Sequence, residues 1–204
     1  MKPEAFELYL IRHGVAAERG ENYPDDTKRP LTNEGVQKLR KEAKALVALD
    51  IGFDVILTSP LVRTRQTAEV VAAAFRNQPP IVNMASLAPG SSHNAIIEEL
   101  SKHHRRHRLA LVGHEPGLGE LAGRLLGVRR PLAFKKGAVC RIDVAALPPT
   151  GPGQLRWFLT PRIMRKIGKQ IQNTRVRRSY PRAQTVVPGA MRPPFGTMMM
   201  PLRM

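Results

Sequence analysis

The chain has 204 residues, 42% of them apolar, enough for one domain with a sizeable core and too few for two full ones. Its one cysteine, Cys140, excludes an internal disulfide and a thiolate-rich zinc site, and no segment approaches the roughly 20 apolar residues that span a bilayer. The net charge of +17 is unevenly spread: ten of the 33 Lys and Arg residues, and none of the 16 acids, lie from Pro161 onward, which leaves the first 160 residues at +7.

In chain order, Phe6–Arg12 reads as a buried strand, short, apolar and followed by Gly14. The N-terminus ahead of it is too acidic, and its apolar run too short, for a signal peptide, so the expected home is the cytoplasm. Pro24–Pro30 is a polar loop. Thr32 is the N-cap of a helix reaching about Leu49, with Leu39, Ala43, Leu46 and Val47 as its apolar stripe. A strand over Phe53–Thr58, a helix over Leu61–Phe75 and a weaker strand over Pro79–Met84 follow. Asn94–His104 reads as a short helix, Leu109–Gly113 as a strand and Gly117–Leu126 as a helix. Gly137–Val144 and Gln154–Leu159 are expected as an antiparallel pair closing the domain. Repeated strand-then-helix order predicts an α/β domain of three layers, α/β/α, with a mainly parallel sheet, over residues 1–160. Residues 161–204 are expected to form a basic tail, disordered from Gln170 because periodic apolar surface is scarce there. Its arginines suit a weak, salt-sensitive contact with polyanions, and Tyr180 and Phe195 are its only aromatics.

Two strands end in a histidine next to a glycine, Arg12-His13-Gly14 and Gly113-His114-Glu115-Pro116. Ligands of open parallel sheets bind beyond the carboxyl ends of strands, so both histidines fall where a site is expected. A third strand end, Thr58-Ser59-Pro60, leads into a helix with Arg63 in its first turn, while Arg65 points elsewhere. Guanidinium groups match phosphate oxygens two at a time, and a neutral imidazole is a competent nucleophile toward phosphorus near pH 7. Such a set can transfer a phosphoryl group without a metal or a cofactor. Arg29 is placed either to reach the phosphate or to pair with Asp25 or Asp26. The run Lys102–Arg108 holds three histidines but no carboxylate or thiol, so it reads as a basic helix end.

Arg12-His13-Gly14 after an apolar strand resembles the signature of the histidine phosphatase superfamily, which includes the cofactor-dependent phosphoglycerate mutases. Residues 29–35, Ser59-Pro60-Leu61-Val62-Arg63-Thr64-Arg65-Gln66-Thr67-Ala68, Gly113–Pro116 and Trp157–Pro161 are similar to its compact SixA-type branch. The resemblance implies a phosphoglycerate mutase-like fold, phosphorylation of His13, and a phosphoryl group held by Arg12, Arg63 and His114. Water would then hydrolyse the intermediate. Many relatives carry a carboxylate after a leucine in the middle segment as general acid, whereas this chain has Ala88 there. That departure suits a phosphohistidine substrate on a protein, for which a histidine phosphotransfer-type domain is the expected partner. Glu115 is a candidate general acid, with Asp25, Asp26 and His93 behind it. The alternatives are a small-molecule phosphomonoesterase of the same superfamily and, more remotely, a non-catalytic nucleic-acid binder.

Overall fold

The computed structural model describes residues 5–179, with side chains through Gln170. Six strands form one sheet in the order β3-β2-β4-β1-β5-β6, where β1 is Phe6–Arg12, β2 Val55–Thr58, β3 Ile81–Asn83, β4 Arg108–Gly113, β5 Val139–Val144 and β6 Gln154–Leu159. The first four in space are parallel, and β5 and β6 turn antiparallel at one edge. Strands covered on both faces read as continuous apolar runs, which is why β1, β2 and β4 were legible without alternation.

Successive residues of β1 serve opposite faces. Leu8 and Leu10 pack with Leu109 and Leu111 against helices α3 (His93–Leu100) and α4 (Gly117–Leu125). Tyr9 and Ile11 pack with Ala110 and Val112 against α1 (Asn33–Ala48) and α2 (Val62–Ala72). Three layers result, as the sequence predicts.

Thr32 caps α1, its Oγ1 accepting a hydrogen bond from Gly35 N at 2.9 Å. Gly35 leaves no room for a side chain, since a Cβ there would meet Val15 O at 2.2 Å. Val47, expected in the buried stripe, is 41% exposed, and Glu42 takes a buried place on the same helix instead.

Ordered structure continues past residue 160, the boundary expected from the sequence. Pro161 opens a fifth helix, α5 (Pro161–Ser179), which lies along α1. Its Met164 is fully buried with Leu39 and Ala43, and its Arg165 pairs with the buried Glu42. Those contacts offset the ordering entropy that the sparse sequence pattern alone did not. The helix runs on through Ser179, across the first ten residues of the segment expected to be disordered. Residues 180–204, with the arginine contacts expected of them, lie outside the described residues. Among the described residues no helix is long and apolar enough to cross a membrane.

Candidate active site

Arg12 pairs with Gly113 across β1 and β4, so His13 and His114, one residue further on, stand side by side. Their ring centroids are 5.2 Å apart with the planes tilted by 55°, and each residue is 6% exposed. Hydrogen bonds hold the turn after β1: His13 N donates to Gly113 O, and Gly137 N to the carbonyls of Arg12 and His13, all at 3.1 Å. Gly14 N donates to Thr67 Oγ1 at 3.1 Å. Gly14 itself does not adopt the left-handed backbone, so these bonds, rather than glycine's conformational freedom, make the bend expected there.

His13 Nδ1 lies 2.7 Å from its neighbour's carbonyl, Gly14 O. An oxygen acceptor at that distance keeps the proton on Nδ1 and leaves the Nε2 lone pair free. Burial pushes the His13 pKa down to about 4, with Arg63, Arg12 and Lys136 adding to the effect against the Gly14 carbonyl. His114 is pushed down to about 3, by burial first and then by His13 and Arg63. Both imidazoles are neutral at pH 7. His114 Nε2 is 2.9 Å from Oγ of Ser59, a fully buried residue at the end of β2.

Arg63 stands in the first turn of α2, 3% exposed. It donates through Nη1 to the Asp26 carbonyl at 2.7 Å and through Nη2 to Asp26 Oδ2 at 2.9 Å. Asp26 Oδ1 accepts in addition from Arg19 Nε at 2.8 Å and Arg29 Nε at 3.0 Å. The Arg19 hydrogen bond, with the charges of Arg63 and Arg29, holds the Asp26 carboxyl far below the usual carboxylate range. Asp26 is therefore an anchor for arginines and not a proton donor. Arg29 pairs with Asp26 and donates to the Ala17 carbonyl, the ion pair being one of its two expected roles. Asp25 caps the turn at Thr27.

Arg12 Nη1 donates to Phe134 O at 2.5 Å. The Phe134 amide donates to Glu115 Oε1 at 2.6 Å, and the Gly119 amide to Glu115 Oε2 at 3.2 Å. Each carboxylate oxygen of Glu115 accepts from one backbone N–H. Glu115, the candidate general acid, thus ties the start of α4 to the loop that holds Arg12. His93 Nε2 lies 3.0 Å from the Gly117 carbonyl and 3.7 Å from Glu120.

Three buried side-chain nitrogens have no hydrogen-bond partner among the described residues: Arg12 Nε, Arg63 Nε and His114 Nδ1. Each buried polar atom left so costs about 1–3 kcal/mol, and native proteins concentrate such atoms where a ligand supplies the partner. All three belong to residues that the sequence grouped with His13. Sequence reasoning missed Asp26 as the anchor of Arg63, Ser59 as the partner of His114 and the Phe134 carbonyl as the partner of Arg12. Only Ser59 carried a signal, its place at a strand end beside the two histidine motifs.

A cleft of about 270 Å³ opens beside His114, lined by Ser86–Ser91, His93 and Glu115–Leu118. Ala88 lies on this wall, where the resemblance looks for a carboxylate. A second cleft, about 330 Å³, opens at Gly14 and Val15 toward α1 and α5. Among the described residues no three His, Cys, Asp or Glu side chains gather as a metal site would require.

The histidine phosphatase superfamily (branch 1) profile matches residues 8–88. An uncharacterized protein of Picosynechococcus sp. is 45% identical over 118 residues, 57% of this chain and 70% of that protein. The phosphohistidine phosphatase SixA of Escherichia coli is 25% identical over 158 residues, 76% of this chain and 94% of SixA. In fold, the protein histidine phosphatase SixA solved with tungstate matches with a TM-score of 0.69 at 23% identity, covering 77% of this chain and 98% of its own. Phosphoglycerate mutase from Bacillus anthracis matches with a TM-score of 0.62 at 15% identity, over 82% of this chain and 98% of the mutase.

Proposed function

Because the chain belongs to the histidine phosphatase superfamily, with SixA-type relatives by sequence and fold, we propose that it hydrolyses phosphohistidine borne by a protein, through phosphorylated His13. The observation that carries the chemistry is a neutral His13 with Nε2 free, next to the unpartnered nitrogens of Arg12, Arg63 and His114. His13 Nε2 attacks phosphorus, the new N–P bond forms, and the N–P bond to the substrate imidazole breaks. The substrate ring, protonated on its other nitrogen, takes the electron pair of the broken bond and leaves as neutral imidazole with that proton. Arg12 and Arg63 neutralise the equatorial oxygens. With Ser59 donating to His114 Nε2, the ring proton sits on Nδ1, which then donates to a third oxygen. Water next attacks phosphorus, the His13 N–P bond breaks, and phosphate leaves with His13 neutral again. No step is routed through a metal or cofactor.

Substrate class rests on the segment over residues 84–93. It contributes Ala88 and no carboxylate to the cleft beside His114, where an alkoxide leaving group would need a proton donor. Glu120 on that wall faces His93, and Glu115 is committed to backbone amides. An imidazole leaving group that arrives protonated on its other nitrogen needs no such donor. A phosphotransfer-type partner and a chain without disulfides both fit a cytoplasmic reaction. The reading is tested by comparing kcat/KM across a phosphohistidine-bearing histidine phosphotransfer domain, sugar phosphates and aryl phosphates. The phosphohistidine protein is expected to lead by about a hundredfold or more, roughly 3 kcal/mol in barrier. A sugar phosphate in the lead would favour the small-molecule phosphomonoesterase.

A further inference from the structure

The cleft that begins at Gly14 and Val15 has a wall the hydrolytic chemistry leaves unused. Lys38 of α1, Lys135 and Lys136 of the loop before β5, and Arg162 and Arg165 of α5 line it, with Glu42 at its floor. Two of these cations are matched inside the protein: Lys38 lies 2.6 Å from Glu34, and Arg165 pairs with Glu42. Lys135, Lys136 and Arg162 are exposed, and among the described residues no carboxylate lies within ion-pair distance of them. The cleft begins at the residue that follows His13. Gly14 borders it directly, and the Lys136 charge is felt at His13.

Three unmatched cations in a concave surface focus potential toward an incoming anion. Residues 180–204 carry three arginines and no acid, so they do not supply an acidic occupant, and a second copy at +17 is repelled. No aromatic ring lines the cleft, so it offers no stacking platform for nucleic-acid bases. We propose that the cleft seats an acidic segment of the phosphoprotein substrate, its carboxylates against Lys135, Lys136 and Arg162 while its phosphohistidine enters toward His13. The proposal rests on the phosphohistidine reading and adds to it the feature by which a partner is selected.

The test uses the full chain and two synthetic peptides of equal length, each with one phosphohistidine, one flanked by Asp and Glu and the other by Ser and Gln. Phosphoimidazole serves as the small substrate. Wild type is expected to favour the acidic peptide by about tenfold in kcat/KM, chiefly through KM, and the preference should shrink toward unity as salt rises. In the double variant Lys135→Ser/Arg162→Ser, which alters exposed side chains only, the preference should fall to about twofold or less. Equal rates on the two peptides, from an enzyme that turns over phosphoimidazole, would overturn the docking proposal and leave the hydrolytic reading intact. Hydrolysis of none of the three would overturn the reading itself and the docking proposal with it. Stronger competition by oligothymidylate than by the unphosphorylated acidic peptide would also overturn the proposal, in favour of a nucleic-acid surface.

Discussion

Asp26 takes both terminal nitrogens of Arg63, one on its carbonyl at 2.7 Å and one on Oδ2 at 2.9 Å, and leaves Nε buried and unpartnered. The carboxylate thus orients the guanidinium rather than merely neutralising it, at a site only 3% exposed. Asp26→Asn keeps the shape and the carbonyl contact but removes the charge that ties down Arg63, Arg19 and Arg29. Steady-state kinetics should show kcat/KM falling about tenfold, roughly 1.4 kcal/mol, in line with one charge-assisted hydrogen bond. A rise in kcat/KM would mean that Asp26 competes with phosphate for Arg63 instead of aiming it.

Glu115 acts through Arg12. It accepts from the amides of Gly119 and Phe134, and the Phe134 carbonyl receives Arg12. Glutamine can accept only one of the two N–H groups, so Glu115→Gln should lower kcat/KM about tenfold and stability by roughly 1–2 kcal/mol. The shape of the pH–rate profile should not change. Loss of its basic limb in the variant would return Glu115 to the role of general acid.

The pH dependence follows from two histidines buried in neutral form. His13 stays unprotonated until about pH 4, so the acid limb of kcat/KM should turn near 4 rather than near the ordinary imidazole value of about 6.5. Stability has its own window. Below pH ~6.5 the unfolded chain binds protons at His13 and His114 that the folded chain refuses down to about 4 and about 3. Their contribution is therefore complete above ~6.5 and is lost as pH falls toward those values. Urea melts of wild type and His114→Gln at pH 7 and pH 5 should show a smaller loss for the variant. An equal loss would place the titrating groups elsewhere.

Helix α5 belongs to the domain up to its contacts with α1. Met164 is 0% exposed among α1 side chains, so Met164→Ala should cost about 2–5 kcal/mol in thermal or denaturant unfolding. Truncation after Ile171 removes none of the buried α5 side chains described and should leave kcat within about twofold, some 0.4 kcal/mol in barrier. A hundredfold loss with the fold intact would show that residues beyond Ile171 complete the site.

Local signals carried most of the fold. The apolar runs of β1, β2 and β4, the Thr32 cap and the histidine at each of two strand ends are all written within a few residues. What stayed hidden joins distant segments. Nothing in Asp26 announces Arg63, 37 residues away, and nothing in Glu115 announces the Phe134 amide, because both pairings are made only by the folded loops. The same holds for α5, whose apolar residues gain a reason to order only against α1. Glu42 was unreadable too: a carboxylate reads as surface until Arg165 arrives to match it.

The central claim is that phosphorus passes through His13 Nε2. Quenching the wild type in base during turnover of phosphoimidazole or a phosphohistidine protein, followed by mass spectrometry of its peptides, addresses it directly. The account predicts an acid-labile phosphate on His13, formed and lost at rates compatible with kcat, absent from His13→Ala, and turnover reduced by at least about 10³-fold in that variant. Turnover by His13→Ala at the wild-type rate, or a phosphate on another residue in its place, would contradict it.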